Sequence, residues 1–359
     1  MTFMIAAAGT GGHVFPGLAI GEALLELGVD RDDISYVGGS RLEADVYPGR
    51  GFHFLQVELA GLRRSLTPQN LRLPQMVFAA RKKIVSEMRA RSIRVMLGMG
   101  GYVTIPAGLA ARRAGVVFFN AEQNAEAGLA NRVARRWAAR TFVSFPNTGG
   151  IPDGEWVGNP VRRMFWDFHR RSLLAEARRH FEVTEGSPVV GVFGGSLGAG
   201  AINDAVYELA TTWDGPDMTI LHLTGPDHLE TMLQSEPARG VVWRRIGFTD
   251  RMDLFYALSD LVVARAGGAV AELTATATPA VLVPGRFGST GHQEGNARFL
   301  ERAGAAVVVM EDEIAQLGSV VSNLVASPEI LGEMRAASTS KSKPKAALTI
   351  ARTMIEACQ

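Results

Sequence analysis

Apolar positions in this chain fall into short unbroken runs. Each is followed by a glycine turn and then by a stretch in which apolar residues recur every three or four positions. Phe3–Ala8 is the first run, and Leu18, Ala19, Ala23, Leu24 and Leu27 mark the first recurring stretch. Compact apolar runs of this length read as buried strands, and a 3.6-residue recurrence reads as a helix. The pattern continues with strands at Ile34–Val37, near Phe52–Val57, at Val95–Leu97 and at Val116–Phe119. Helices are expected from Pro16, from about Thr67 to Arg91, and from about Ile105. Alternating strands and helices predict a parallel sheet covered on both faces.

The alternation breaks near Phe145–Pro160, where Pro146, Gly149, Gly150, Pro152, Gly154 and Pro160 cluster. Turn residues at that density predict a linker. The pattern restarts with a helix near Ser172–Phe181, a strand at Val189–Phe193, a turn at Gly194–Gly198 and a helix at Ala201–Thr211. Further strands are expected at Thr219–Leu223, Val241–Ile246, Leu261–Val263, Ala280–Val283 and Ala306–Val309. The expected class is α/β: two doubly wound parallel-sheet domains, 1–157 and 158–341, facing each other across a cleft. Ligands should bind at the carboxyl ends of the strands. The pattern of Lys345–Glu356 is helical and leaves open which domain it packs on.

A length of 359 residues fits two domains better than one core. The chain is 47% hydrophobic, yet no stretch has the 18 or so unbroken apolar residues of a spanning helix. Met1-Thr2-Phe3 runs straight into the first strand, which predicts no signal peptide. A formal net charge of +1 argues against bulk nucleic-acid binding. The single cysteine, Cys358, excludes an intrachain disulfide framework and suits a reducing cytoplasm. No group of His, Asp or Glu has metal-ligand spacing, so neither a metal nor another cofactor is expected.

The stretch Ala7-Ala-Gly-Thr-Gly-Gly-His-Val-Phe-Pro16 joins the first strand to the first helix. Glycines let backbone amides approach a ligand, and a helix start adds a partial positive charge. The turn therefore suits a phosphate or a developing anion, and His13 can take a proton near neutral pH. Val14 stands where the dinucleotide fingerprint needs its third glycine, and Gly38-Gly39-Ser40 replaces the ribose-holding acid. A nicotinamide cofactor and a P-loop are both disfavoured. The turns at Gly98–Tyr102 and Gly194–Gly198 repeat the first, and Ser196 can donate to a phosphate oxygen.

Arg162, just after the expected linker, suits a diphosphate or plain solvation. Glu272 suits ribose hydroxyls or the helix dipole. Thr249 precedes Asp250, a predicted helix cap. His292, Gln293 and Asn296 open a helix as ligand contacts or caps. Asn124 and Asn131 fit caps, His222 a core histidine, and Asp30–Asp33 a solvated turn. Leu62–Leu66 and Leu71–Lys83 mix apolar and basic residues, which suits either shallow insertion at an anionic membrane surface or a solvated basic face.

Taken in order, Gly9–Ala19, Gly98–Val103, Glu122–Asn124 with Gly128 and Asn131, Gly158–Arg162, Gly194–Ala199, Arg265–Gly267 with Glu272, and His292–Ala297 resemble the MurG-type glycosyltransferases of family 28. The resemblance implies the GT-B fold and direct, inverting transfer of N-acetylglucosamine. The donor would be UDP-GlcNAc, and the acceptor the 4-hydroxyl of MurNAc in lipid I, giving lipid II in peptidoglycan synthesis. It further implies that Thr10, Gly11, Gly12 and Asn124 meet the donor sugar or the acceptor diphosphate. Arg162 and Ser196 would face the donor diphosphate, Thr249 the uracil, Glu272 the ribose, and Gln293 the donor sugar or phosphate. His13 is the expected general base. The family is peripheral on the inner face of the cytoplasmic membrane, and residues 342–359 would pack back on the first domain. Ala121 stands where the family usually carries histidine, and the loop Arg265–Glu272 is one residue shorter. The alternatives are another GT-B glycosyltransferase with a different lipid acceptor and a degenerate, non-catalytic homologue.

Overall fold

The computed structural model describes residues 1–59, 73–195, 198–285 and 291–358. The chain divides into two compact units. The first is Met1–Arg163 with Lys343–Gln359, and the second is Met164–Ser342.

In the first unit the strands are β1 (Phe3–Ala6), β2 (Ile34–Gly38), β3 (His53–Gln56), β4 (Val95–Gly98), β5 (Val117–Glu122), β6 (Arg140–Val143) and β7 (Glu155–Trp156). They form one parallel sheet in the order β3-β2-β1-β4-β5-β6-β7. β1, β2 and β4 are buried at every position. That is why their sequences are continuous apolar runs rather than alternating ones. The helices are α1 (Gly11–Glu26), α2 (Leu42–Gly49), α3 (Leu73–Ala90), α4 (Thr104–Ala114) and α5 (Leu129–Ala134). One core layer joins Met4, Ala6 and Met96 of the sheet to Ile84 and Met88 of α3 and Ala107 and Ala111 of α4.

The stretch expected as a linker carries β7, paired with β6. β6 and α2 have no counterpart in the sequence pattern. β6 begins at exposed Arg140, and α2 is short and ends in Pro48-Gly49, so neither shows a clear period. α1 begins at Gly11, well before the expected Pro16, because two glycines and a histidine make a weak helix signal.

In the second unit α6 (Arg170–Phe181) precedes β8 (Val189–Phe193), α7 (Gly200–Thr212), β9 (Met218–Leu223), α8 (Leu229–Leu233), β10 (Val241–Ile246), α9 (Met252–Leu258) and β11 (Leu261–Ala264). Then come α10 (Ala269–Ala275), β12 (Ala280–Leu282), α11 (His292–Arg302), β13 (Ala306–Val308), α12 (Leu317–Val325) and α13 (Pro328–Ser340). The sheet runs β10-β9-β8-β11-β12-β13, all parallel. Val190, Val192, Ile220 and Val263 bury one face against Ile202 and Val206 of α7 and Val321 of α12. The last helix, α14 (Ala346–Glu356), belongs to the first unit and packs on α1. Both units follow the Rossmann strand order, and each reverses direction beside its first strand. Among the described residues, no single helix is long and apolar enough to cross a membrane.

Candidate functional site

The first sheet reverses between β1 and β4. In the register, Ala6 lies beside Gly98, and Gly98 beside Asn120. The segments that leave β1, β4 and β5 therefore emerge side by side at the carboxyl edge. Those segments are Ala7–Thr10, Met99–Tyr102 and Gln123–Asn124. A switch point of this kind opens a crevice in which ligands bind.

Thr10 stands in the extended N-cap position of α1, and its Oγ1 lies 3.2 Å from Nδ1 of His13. The imidazole lies over the second glycine turn. A Cβ on Gly100 would meet His13 Nε2 at 2.9 Å and Asn131 Nδ2 at 3.1 Å. Gly100 also has a φ of +95°, so glycine is required there on two counts.

Glu122 is the hub beside this pair. It is 2% exposed. Its Oε1 accepts from the Asn124 amide at 2.9 Å and from Asn124 Nδ2 at 3.0 Å. Its Oε2 accepts from the Gly128 amide at 3.0 Å and from Asn131 Nδ2 at 2.8 Å. Asn131 is thus an interior residue of α5, not a cap. The expected capping role is corrected: its amide also donates to the Ala121 carbonyl, and burial leaves it no solvent to face.

Glu43 was not legible as a site residue. It lies on α2, fully buried, under the first glycine turn. Its carboxylate accepts from the amides of Gly9 at 3.1 Å and Gly39 at 3.0 Å, and from the Tyr102 hydroxyl at 2.8 Å. Burial pushes the carboxyl pKa up. The hydrogen bonds from its own amide, Tyr102, Gly9 and Gly39 outweigh that, and the net shift is downward.

The second sheet reverses between β8 and β11. Gly195 and Gly198 have φ of +111° and +81° in the turn after β8, and a Cβ on Gly198 would collide with the Thr224 carbonyl. Ser196 of this turn lies outside the described residues. After β11, Arg265 makes a two-pronged ion pair with Glu311, at 3.1 and 3.2 Å, and donates to the Val283 carbonyl. Glu272, half-buried in α10, accepts from the Tyr256 hydroxyl at 3.0 Å. Gln293, at the start of α11, accepts from the Gly285 amide at 2.8 Å, and Asn296 donates to the Ala266 carbonyl at 3.1 Å. These two residues tie together the loops after β11 and β12.

Asp250 is not the cap of α9; the side chain that bonds the backbone in this turn is that of Thr249. Its hydroxyl accepts from the Arg251 amide at 3.1 Å, and Arg251 is the N-cap. Phe248 beside it is 63% exposed. His222 is a core histidine as read: its Nε2 bonds Asn203 Oδ1 at 3.1 Å, and burial drops its pKa to about 3. Arg162 lies in the first unit. Its charge, with those of Arg50, Arg163 and Arg31, acts on Glu22 of α1, whose carboxyl burial raises. Among the described residues no group of three or more His, Cys, Asp or Glu has metal-site geometry.

Paired Rossmann-order sheets with a glycine turn at each switch point define a two-unit α/β protein of the GT-B fold. Residues 3–143 match the glycosyltransferase family 28 N-terminal domain, and residues 189–350 match the family 28 C-terminal domain. The chain belongs to glycosyltransferase family 28. It is 37% identical over 358 residues to an enzyme of Acidithiobacillus ferrooxidans, covering 98% of this chain and 97% of that protein. That relative is a UDP-N-acetylglucosamine--N-acetylmuramyl-(pentapeptide) pyrophosphoryl-undecaprenol N-acetylglucosamine transferase. The Halorhodospira halophila protein of the same name is 38% identical over 350 residues, covering 96% of this chain and 95% of that one. The crystal structure of Acinetobacter baumannii MurG superposes with a TM-score of 0.81 at 26% identity, covering 99% of each chain.

Proposed function

We propose that this protein transfers N-acetylglucosamine from UDP-GlcNAc to the 4-hydroxyl of MurNAc in lipid I, forming lipid II with inversion at the anomeric carbon. The observation that carries the chemistry is the imidazole of His13, bonded to Thr10 and set against Gly100 at the switch point of the first sheet. The family relatives named above supply the donor and the acceptor.

The sugar C1–O bond to UDP breaks as the acceptor oxygen attacks C1 from the opposite face. The acceptor hydroxyl loses its proton to His13, and UDP leaves with the bonding electron pair. A base with a pKa near the working pH serves this step best. Base duty at Nε2 requires Nδ1 to carry a proton and donate it to Thr10 Oγ1. Gly11 and Gly12, opening α1, and Asn124 offer donors for the acceptor diphosphate or the donor sugar. In the second unit, Glu272 takes the ribose hydroxyls, the backbone at Thr249 the uracil edge, and Gln293 the sugar or phosphate. Ser196 and Arg162 complete the diphosphate contacts. Developing negative charge on UDP is met by these donors.

The chain acts at the inner face of the cytoplasmic membrane, held to anionic lipid by α3. The exposed ring of Phe78, with Arg81 stacked on it at 5.0 Å and Lys82 nearby, supports this reading. Leu62–Leu66 and Leu71–Arg72 lie outside the described residues.

The test is transfer of labelled N-acetylglucosamine from UDP-GlcNAc to a short-chain lipid I analogue, beside His13→Ala. Labelled product in the wild type and a loss of at least about a hundredfold in the variant support the reading. Absence of wild-type product overturns the activity. Wild-type turnover in His13→Ala overturns the base.

A further inference from the structure

We infer that Glu43 is a positioning residue for the transfer reaction. Without touching substrate, it sets where the first glycine turn and His13 stand relative to the second glycine turn.

The carboxylate of Glu43 joins three segments that leave three different strands. It accepts the Gly9 amide of the turn after β1, the Gly39 amide of the turn after β2, and the Tyr102 hydroxyl of the turn after β4. The neighbourhood is built around it at close quarters. A Cβ on Gly38 would lie 2.7 Å from Glu43 Cγ, and a Cβ on Gly39 would collide with the Tyr102 hydroxyl. A Cβ on Gly9 would lie 3.4 Å from the Tyr102 ring. The three glycines and Tyr102 enclose one buried acceptor.

Two consequences follow for the site. The innermost amide of the glycine turn, at Gly9, is bonded inside the protein and does not serve a ligand. The ligand-binding end of α1 is shifted outward to Thr10, Gly11 and Gly12. Gly9 and Gly101 are also fixed on either side of the Ala8 carbonyl, which a Cβ on Gly101 would approach to 2.5 Å. This sets the separation of the two turns between which His13 sits.

The charge state matters to the geometry. A carboxylate presents acceptors to all three donors, whereas an amide in its place turns an N–H toward one of them. The donor left without a partner in a buried site must move or take in water. Displacement of the turn then misplaces His13, and small misplacements of reacting groups cost large factors in rate.

The inference uses the proposed transfer reaction for its kinetic readout alone. A second readout, amide hydrogen exchange, does not depend on it. Glu43→Gln and Tyr102→Phe are prepared in the full chain. Tyr102→Phe keeps the ring and serves if Glu43→Gln does not fold. The expected result is at least tenfold faster exchange across residues 9–13. With it should come a tenfold or greater loss of kcat in the lipid I analogue assay and a KM for UDP-GlcNAc within twofold of wild type. The double variant should lose little more than Glu43→Gln alone, since both changes break one network.

Wild-type exchange across residues 9–13 in both variants would overturn the inference. So would faster exchange with unchanged kcat per folded molecule, or a loss confined to the KM for UDP-GlcNAc. If the wild type transfers no sugar, the proposed function fails by itself. The positioning role is then decided by exchange together with the NMR titration of His13, whose midpoint should differ between wild type and variants. Identical midpoints and exchange would end it.

Discussion

The imidazole of His13 rests on the backbone of Gly100, so close that a methyl group there would stand 2.8 Å from Cδ2 and 2.9 Å from Nε2. The two residues come from different glycine turns, 87 positions apart by their numbers, and meet because β1 and β4 are neighbours. Gly100→Ala should therefore displace the ring and strain a backbone held at φ +95°. The expected cost is about 1–3 kcal/mol in stability, together with a loss of kcat approaching that of His13→Ala. Denaturant unfolding beside the transfer assay checks both. Full activity in Gly100→Ala would separate His13 from the reaction.

Glu122 gathers four donors in a site that solvent does not reach. Glu122→Gln turns an N–H toward at least one of them. Each buried donor left without a partner costs about 1–3 kcal/mol. The Asn124–Asn131 segment should loosen, with lower unfolding free energy and faster exchange at Gly128. An unchanged unfolding curve would contradict the hub.

His222 makes stability depend on pH. Burial holds its pKa at about 3, against 6.5 for the ordinary group. The unfolded chain takes up a proton near 6.5, while the folded one resists down to about 3. Between those values the unfolded state carries more protons, so stability falls as pH drops. The slope from this one group approaches about 1.4 kcal/mol per pH unit. His222→Gln should lose that slope, so the stabilities of variant and wild type, measured by urea unfolding from pH 7 to 4, should follow pH differently. A parallel pair of curves would show that His222 does not titrate in the unfolded state alone.

Glu272 is held by the Tyr256 hydroxyl at 3.0 Å. Glu272→Ala should weaken UDP-GlcNAc binding by roughly tenfold or more, the loss expected for hydrogen bonds to a charged group. Tyr256→Phe should weaken it less, since the carboxylate remains. Calorimetric titration with UDP-GlcNAc measures both. Equal affinity in all three proteins would remove the ribose from Glu272. Phe248, largely exposed beside Thr249, is open to the same titration: Phe248→Ala should lower donor affinity if the ring covers the base.

The sequence determined the fold class and every strand except β6 and β7. β8 falls at Val189–Phe193 as its apolar run requires, because a strand buried on both faces is apolar along its length. It also marked the glycine turns, since close approach and positive φ exclude side chains at Gly100 and Gly198. It did not mark α2 or β6, whose residues carry no strong period. The partners of the polar side chains were beyond it altogether. Asn131 read as a cap and proved to be a buried donor to Glu122, and Asp250 read as a cap where Arg251 holds the N-cap position of α9. Glu43 carried no visible signal, because nothing local distinguishes a surface acid from one turned inward under three backbone segments. Hydrophobic period and turn chemistry are properties of neighbours in the chain. Burial of a charge, and the donors that make it tolerable, are settled only when distant segments pack together.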